Sequence, residues 1–154
     1  MQRSASNICK HTMRFVFALA AMSCALAGCT RAPDEVRIRT SIETMRSAAE
    51  ERRPAAVVGE MAEDFTGNNG EIDREGLSRL LKFEFLRNET IGVAIGPIDV
   101  EGDGDRATAK FDVTFSDASQ RWLPGGSETY AFVSGWRREG SRWVCYNATW
   151  THPT

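Results

Sequence analysis

The spacing of the apolar residues changes once along this chain, near Asn88, and the change limits the folds open to it. Before Asn88 apolar residues recur every three or four positions, as on one face of a helix. After it they alternate with polar residues, most clearly from Ala107 to Phe115, which predicts a strand with one dry and one wet face. Helices followed by antiparallel strands indicate an α+β domain in which the helices cover one face of a curved sheet.

Three helices are predicted before the change, over residues 34–53, 54–67 and 73–88, with Pro54 opening the second and Asp73 capping the third. The predicted buried residues are Ile38, Ile42, Met45 and Ala49 in the first helix, Val57, Val58, Met61, Ala62 and Phe65 in the second, and Leu77, Leu80, Leu81 and Phe85 in the third.

The strands that follow are separated by turn residues. Residues 91–100 are predicted as a strand in which Pro97 marks an edge or a bulge, and a hairpin turn at 101–106 leads into the alternating strand. A long loop over 117–128 precedes two final strands, which are joined at Glu139 and Gly140. The sequence thus predicts an antiparallel meander.

This order of elements, with the segments "EDF", "GDRATAKFDV" and "WRREGSRWVCYNATW", resembles the nuclear transport factor 2-like (cystatin-like) superfamily over residues 34–150. The resemblance implies a cone: a strongly bent antiparallel sheet around helices, with a pocket at the open end, in a single domain over 34–152. Members include isomerases, dehydratases, cyclases, transport adaptors and lipoproteins. Because one fold serves many functions, the resemblance does not select among them.

The first residues resemble a secretory signal. Arg3, Lys10 and Arg14 precede the apolar run from Phe15 to Gly28, which is shorter than the ~20 residues of a membrane-spanning helix. We therefore expect a signal peptide over residues 1–28.

The run ends in "LAGC", which resembles the lipobox of bacterial lipoproteins. The resemblance implies lipid attachment to Cys29, a short tether over 29–33, and anchoring in the cell envelope. Thr30 after the cysteine resembles the outer-membrane sorting pattern, with the domain facing the periplasm. The alternative is ordinary cleavage after "ALA", residues 25–27, which would leave Cys29 as a free thiol.

The charge balance argues against one class of partner. Without the three leader cations, 16 basic residues stand against 21 acidic ones, a formal net charge of −5. A surface with this mixed, negative charge is not expected to bind nucleic acid or to adhere to anionic lipid.

Residues 63–77, "EDFTGNNGEIDREGL", have the composition of a calcium-binding loop but not its spacing. If Gly70 is aligned with the central glycine of a calcium loop, Phe65 and Gly76 fall at the first and last ligand positions, where neither side chain can bind the metal. If the alignment is shifted by one residue, Asn69 falls at the position that requires glycine. The stretch is therefore predicted to be a turn that leads into a helix, without a metal.

Few residues are suited to catalysis. His152 lies near the end of the chain and Cys145 lies within a strand, so neither a zinc site nor a histidine-based triad is expected, and no cofactor is expected. The isomerase relatives imply a carboxylate base and a tyrosine donor, for which Asp64 and Tyr130 are the catalytic candidates.

Aromatic residues are frequent in the last strands. Trp136, Tyr146 and Trp150 are candidates for lining a ligand pocket. The alternative places Trp143 and Trp150 on opposite faces, one in the core and one on a sheet face that forms a homodimer. We expect a domain that binds a lipophilic small molecule or an envelope protein without catalysis; the alternative is a pocket enzyme of the isomerase or dehydratase type.

Overall fold

The computed structural model of the protein describes residues 34–153, except 89 and 118–126. The expected signal peptide, Cys29 and the tether lie outside the described residues, as do Trp122 and most of the predicted loop over 117–128. No helix within the described part is long and apolar enough to cross a membrane.

The described residues form helices packed on one curved sheet. The helices are α1 (Asp34–Glu50), α2 (Pro54–Val58) and α3 (Arg74–Arg87). The strands are β1 (Met61–Gly67), β2 (Ile72–Asp73), β3 (Ile91–Ile95), β4 (Asp99–Asp103), β5 (Arg106–Asp117), β6 (Ser127–Glu139) and β7 (Arg142–Thr151).

The sheet order is β2-β1-β7-β6-β5-β3, and β4 also pairs with β5. The predicted α+β class is confirmed, but the sheet is mixed, because β1 pairs with β7 in parallel. The remaining pairs are antiparallel.

The prediction of a second helix over residues 54–67 was wrong beyond Val58. The helix α2 has only 5 residues, and Met61–Gly67 is a strand. The residue before this strand is also joined to β7, since Cys145 N donates to Glu60 O at 3.0 Å. Apolar residues at positions 61, 62 and 65 are compatible with either structure, and pairing with β7 decides between them.

The predicted strand over residues 91–100 is divided in two. Both halves, β3 and β4, pair with β5, and residues 96–98 separate them. Pro97 lies in this gap, where its missing N–H removes no hydrogen bond from the sheet.

The core lies between α1 and the inner face of the sheet. The largest fully buried side chains are Trp136, Phe65, Ile38 and Ile42. Ile38, Ile42 and Ala49 are buried as the helical pattern predicted, and Met45 packs against them. In α3 Phe85 is buried, but Leu80, predicted to be buried, is 41% exposed because it lies on the flank of the helix.

An extra residue in β7 changes which side chains face the core. Gly135 pairs with Asn147, whereas the next residue, Trp136, pairs with Cys145, so Tyr146 is unpaired in a β-bulge. The bulge shifts the alternation by one position, and Trp143 and Trp150 both pack on the inner core cluster. The expectation that they lie on opposite faces was therefore wrong.

Candidate functional site

Aromatic side chains from three neighbouring strands lie side by side on the inner face of the sheet. Phe132 on β6 pairs with Phe111 on β5 and with Trp150 on β7. The rings stack, with centroids 5.7 Å apart for Phe111 and Phe132 and 5.8 Å apart for Phe132 and Trp150. Directly opposed residues share a face of a sheet, which is why these rings meet.

Tyr130 continues this surface towards the end of the strands. Its ring packs edge-on to Phe115, with centroids 6.1 Å apart, and lies 4.3 Å from the ring of His152. We call Phe111, Phe115, Tyr130, Phe132 and Trp150 the aromatic row. All five are half-buried, so part of each residue remains accessible to solvent.

The hydroxyl of Tyr130 is already occupied by a carboxylate. It donates to Glu128 Oε2 at 2.8 Å. This hydrogen bond, followed by partial burial and by the charges of Glu128 and Glu84, raises the pKa of Tyr130 above its ordinary value. The phenol therefore stays protonated, and an exposed glutamate competes with any bound molecule for its proton.

Asp64 lies on the outer face of the sheet, away from the aromatic row. It accepts two hydrogen bonds from Arg137, at 2.8 and 2.6 Å, and the hydrogen bond from this guanidinium lowers the pKa of its carboxyl. Arg137 alternates with Trp136 along β6 and so points outward. A carboxylate that is stabilised as an anion by an adjacent cation is a weak base.

Tyr146 also lies on the outer face. The centroid of its ring lies 4.9 Å from the guanidinium carbon of Arg106 and 5.8 Å from that of Arg137. Tyr146 is thus separated from Tyr130, Trp136 and Trp150, which lie on the inner face. The structure brings Tyr130 and Trp150 together and separates them from Asp64 and Tyr146.

Trp136 belongs to the core, where its indole N–H donates to Ser134 Oγ at 2.9 Å. Cys145 is buried beside it in the same cluster, and burial raises the pKa of its thiol to about 12. A thiol with this pKa is protonated at neutral pH and is not a nucleophile.

The stretch that resembles a calcium loop runs from β1 through a turn over residues 68–70 and through β2 into α3. Asn68, Asn69 and Gly70 have positive φ values, and Asp73 caps α3 by accepting from Gly76 N at 2.6 Å. Asn68 Oδ1 accepts from Trp150 N at 3.1 Å, so the turn fastens the end of β7. Within the described residues, no group of three or more His, Cys, Asp or Glu side chains is placed to hold a metal ion.

Two shallow depressions of the described surface lie elsewhere. One, of about 280 Å³, lies at the start of α1, beside Asp34, Arg106 and Trp143. The other, of about 510 Å³, lies between the end of α1 and α3, and Arg52 and Leu86 are among its lining residues. The surface around this second depression was not predicted from the sequence, although Phe83 and Leu86 fall on the exposed side of the helical wheel of α3.

The fold is similar to that of known protein structures. No protein-family model and no curated protein matches the chain. A nuclear transport factor 2-like protein of unknown function from Pseudomonas putida is 16% identical, with a TM-score of 0.68 over 78% of this chain and 87% of that chain.

A proposed scytalone dehydratase from Novosphingobium aromaticivorans is 12% identical, with a TM-score of 0.67 over 79% of this chain and 85% of that one. Bd1075 of Bdellovibrio bacteriovorus gives a TM-score of 0.65 at 12% identity over 76% of this chain, which spans 40% of that protein. The fold is the nuclear transport factor 2-like fold. At these identities the likeness establishes the fold and leaves the activity open.

Proposed function

We propose that this protein is a lipid-anchored protein of the cell envelope whose domain binds a flat apolar molecule at the aromatic row and does not catalyse a reaction. The observation that carries the proposal is the composition of the inner face. Five aromatic rings there are half-buried, and the one buried polar residue of the described chain is Ser134. Aromatic surface without a buried acid or base is suited to binding.

The position of Asp64 supports the absence of catalysis. A base of the isomerase type would be a carboxyl held within the apolar interior, where burial raises its pKa. Asp64, the carboxyl nominated for this role, is paired with Arg137 on the outer face and its pKa is lowered.

The proposed location follows from the leader. The basic start, the apolar run from Phe15 to Gly28 and Cys29 within "LAGC" support export and lipid attachment. The mass of the mature protein tests this, because lipidated Cys29 as the first residue and a start at Gly28 have different masses. A start at Gly28 would refute the anchor while leaving the binding proposal intact.

The binding proposal is tested with the anchor-free chain, residues 30–154, exported to a bacterial periplasm. Native mass spectra recorded from gentle to denaturing conditions should show a releasable apolar ligand. Phe132→Leu removes a ring from the aromatic row at similar volume and should abolish the added mass. Phe83→Leu removes an exposed ring from α3 and should leave it unchanged.

A chain that remains empty under gentle conditions, or an added mass that survives Phe132→Leu, would refute binding at the aromatic row. An exclusive dimer without ligand would support a protein-interaction role through the outer sheet face instead.

The second candidate is a pocket enzyme of the dehydratase type. It is favoured by the contact between Tyr130 and His152 at the end of the aromatic row and by the proposed dehydratase among the structural neighbours. It predicts that the released ligand is chemically converted on incubation, and that Tyr130→Phe stops the conversion while binding persists.

A further inference from the structure

The solvent-facing side of α3 carries apolar and basic side chains together. Phe83 is 54% exposed and Leu86 is 81% exposed, the largest exposed fraction among the exposed large apolar residues of the described chain. Lys82 and Arg87 are also exposed and lie on the same side of the helix, at spacings of three and four. We call Lys82, Phe83, Leu86 and Arg87 the α3 stripe.

The α3 stripe is cationic although the domain as a whole is anionic, so the expectation from net charge that the surface does not adhere to anionic lipid does not extend to this face of α3. No acidic residue falls within it, and the half-buried carboxylate of Glu84, the nearest in sequence, accepts from Asn88 Nδ2 at 3.4 Å. Arg79, one turn before, is paired with Glu75 at 2.8 Å. The guanidinium of Arg87 lies over the ring of Phe83, 5.2 Å from its centroid, so charge and apolar surface are presented together.

The depression of about 510 Å³ adjoins the α3 stripe and has the same mixed character. Leu86, Phe85 and Pro54 supply apolar lining, while Lys82 and Arg52 supply positive charge. Arg52 also donates to the main-chain oxygen of Phe85, which holds its side chain beside the helix. Glu51 lines the depression too, and its carboxylate is paired with Arg53 at 2.7 Å.

We propose that the α3 stripe docks on an anionic phospholipid surface, with Phe83 and Leu86 inserted among the lipids and Lys82 and Arg87 on the headgroup phosphates. Helix faces of this composition bind the interface of bilayers by apolar insertion and by attraction to anionic lipid. Charge complementarity favours this occupant over a dimer in which two α3 stripes face each other, because the second stripe carries the same positive charge and would repel the first.

Docking also defines an orientation for the domain. The contact between Arg52 and Phe85 places the end of α3 beside the end of α1, about 25 Å from Asp34 by the length of α1. Where the tether of the proposed function holds Asp34 near a bilayer, docking of the α3 stripe requires α1 to lie along the membrane surface.

The experiment uses the anchor-free chain and sedimentation with vesicles, so that the lipid anchor plays no part. The protein should bind vesicles of phosphatidylcholine mixed with an equal amount of phosphatidylglycerol. Its affinity for vesicles of phosphatidylcholine alone should be at least ten-fold lower. Lys82→Gln and Arg87→Gln should each weaken binding about five-fold, and added salt should weaken it further. Leu86→Ser should weaken it roughly ten-fold through lost apolar burial.

Matched controls lie on the sheet. Val133→Ser removes an exposed apolar side chain, and Lys110→Gln removes an exposed cation, both outside the α3 stripe. Both should leave vesicle binding unchanged. Because Leu86 is 81% exposed, Leu86→Ser should also retain the unfolding midpoint of the parent chain.

Equal binding to neutral and anionic vesicles, no binding to either, or equal losses in the control variants would overturn the proposal. A change from dimer to monomer in Leu86→Ser would also overturn it and assign the α3 stripe to a self-association surface. Leu86→Ser should retain the ligand mass expected at the aromatic row, so this proposal and the proposed function fail independently.

Discussion

Replacing Gly67 with alanine tests how closely the end of β1 packs against β2 and Trp150 of β7. Gly67 closes β1, and a Cβ added there would lie 2.5 Å from Ile72 Cγ2 and 2.9 Å from Trp150 Cη2. Both distances are shorter than side-chain carbon atoms tolerate, so either the β1–β2 turn or the Trp150 ring must move. The substitution therefore disturbs one end of the aromatic row.

The expected magnitude follows from two opposing effects. Gly67 has φ −114 and ψ 151, an extended conformation that alanine adopts freely. Alanine would therefore stabilise by about 0.4–1 kcal/mol through the unfolded chain, if there were room for it. Overpacking in a closed site costs about 1–3 kcal/mol. The two effects leave a net destabilisation of about 1–2 kcal/mol.

Urea unfolding followed by tryptophan fluorescence measures this. With a typical dependence on urea of about 1–3 kcal/mol per M, the midpoint should fall by about 0.5–1 M at an unchanged slope. Gly96→Ala is the matched control, because its Cβ would meet Asp112 atoms at 3.6 Å or more, which is ordinary contact. It should leave the midpoint unchanged or raise it slightly.

A double-mutant cycle identifies the cause. If Cβ of residue 67 collides with Ile72, then Ile72→Ala should cost less in the Gly67→Ala background than in the parent chain. A Gly67→Ala variant as stable as Gly96→Ala would refute the packing described for Trp150 and the β1–β2 turn, and a cycle without coupling would refute the collision with Ile72.

Three further predictions concern single groups. Arg137 lowers the pKa of Asp64 below its ordinary value of 3.8, so around that pH the native state binds fewer protons than the unfolded state. The stability that this ion pair contributes is therefore present above pH 3.8 and is lost as the pH falls through the native pKa. Asp64→Asn should thus reduce the loss of stability below about pH 4, seen as a flatter profile of unfolding midpoint against pH; an unchanged profile would contradict the pairing. Cys145, with its pKa raised to about 12, should resist iodoacetamide at pH near 8 in the native state and react in urea, and rapid native alkylation would contradict its burial. Ser134→Ala removes the acceptor of the Trp136 indole N–H within the core and should cost about 1–3 kcal/mol in urea unfolding, whereas a neutral effect would show that this hydrogen bond is not needed.

Long, uninterrupted patterns were enough to predict much of the fold. The apolar stripe of α1 and the alternation along β5 were correctly predicted, because each is a local repeat over many residues. The turn over 68–70 and the cap at Asp73 were also predicted from residue types whose backbone preferences are strong.

The candidate site was predicted only in part, because the face on which a side chain lies depends on the partner strand. Tyr130 and Trp150 share the inner face, whereas Asp64 and Tyr146 lie outside. The other members of the aromatic row, Phe111, Phe115 and Phe132, were predicted to be strand residues but not part of a site. Their convergence follows from the register of β5, β6 and β7.

The sequence by itself determined the α+β class, the helix that covers the sheet and the long alternating strand, because these depend on periodicities within one segment. The tertiary structure decided that residues 61–67 pair with β7, that the bulge at Tyr146 brings Trp143 and Trp150 to one face, and that Asp64 meets Arg137. Each of these depends on contacts between residues far apart in the chain. Their free energy belongs to pairs of segments, and no single segment carries a pattern that reports it.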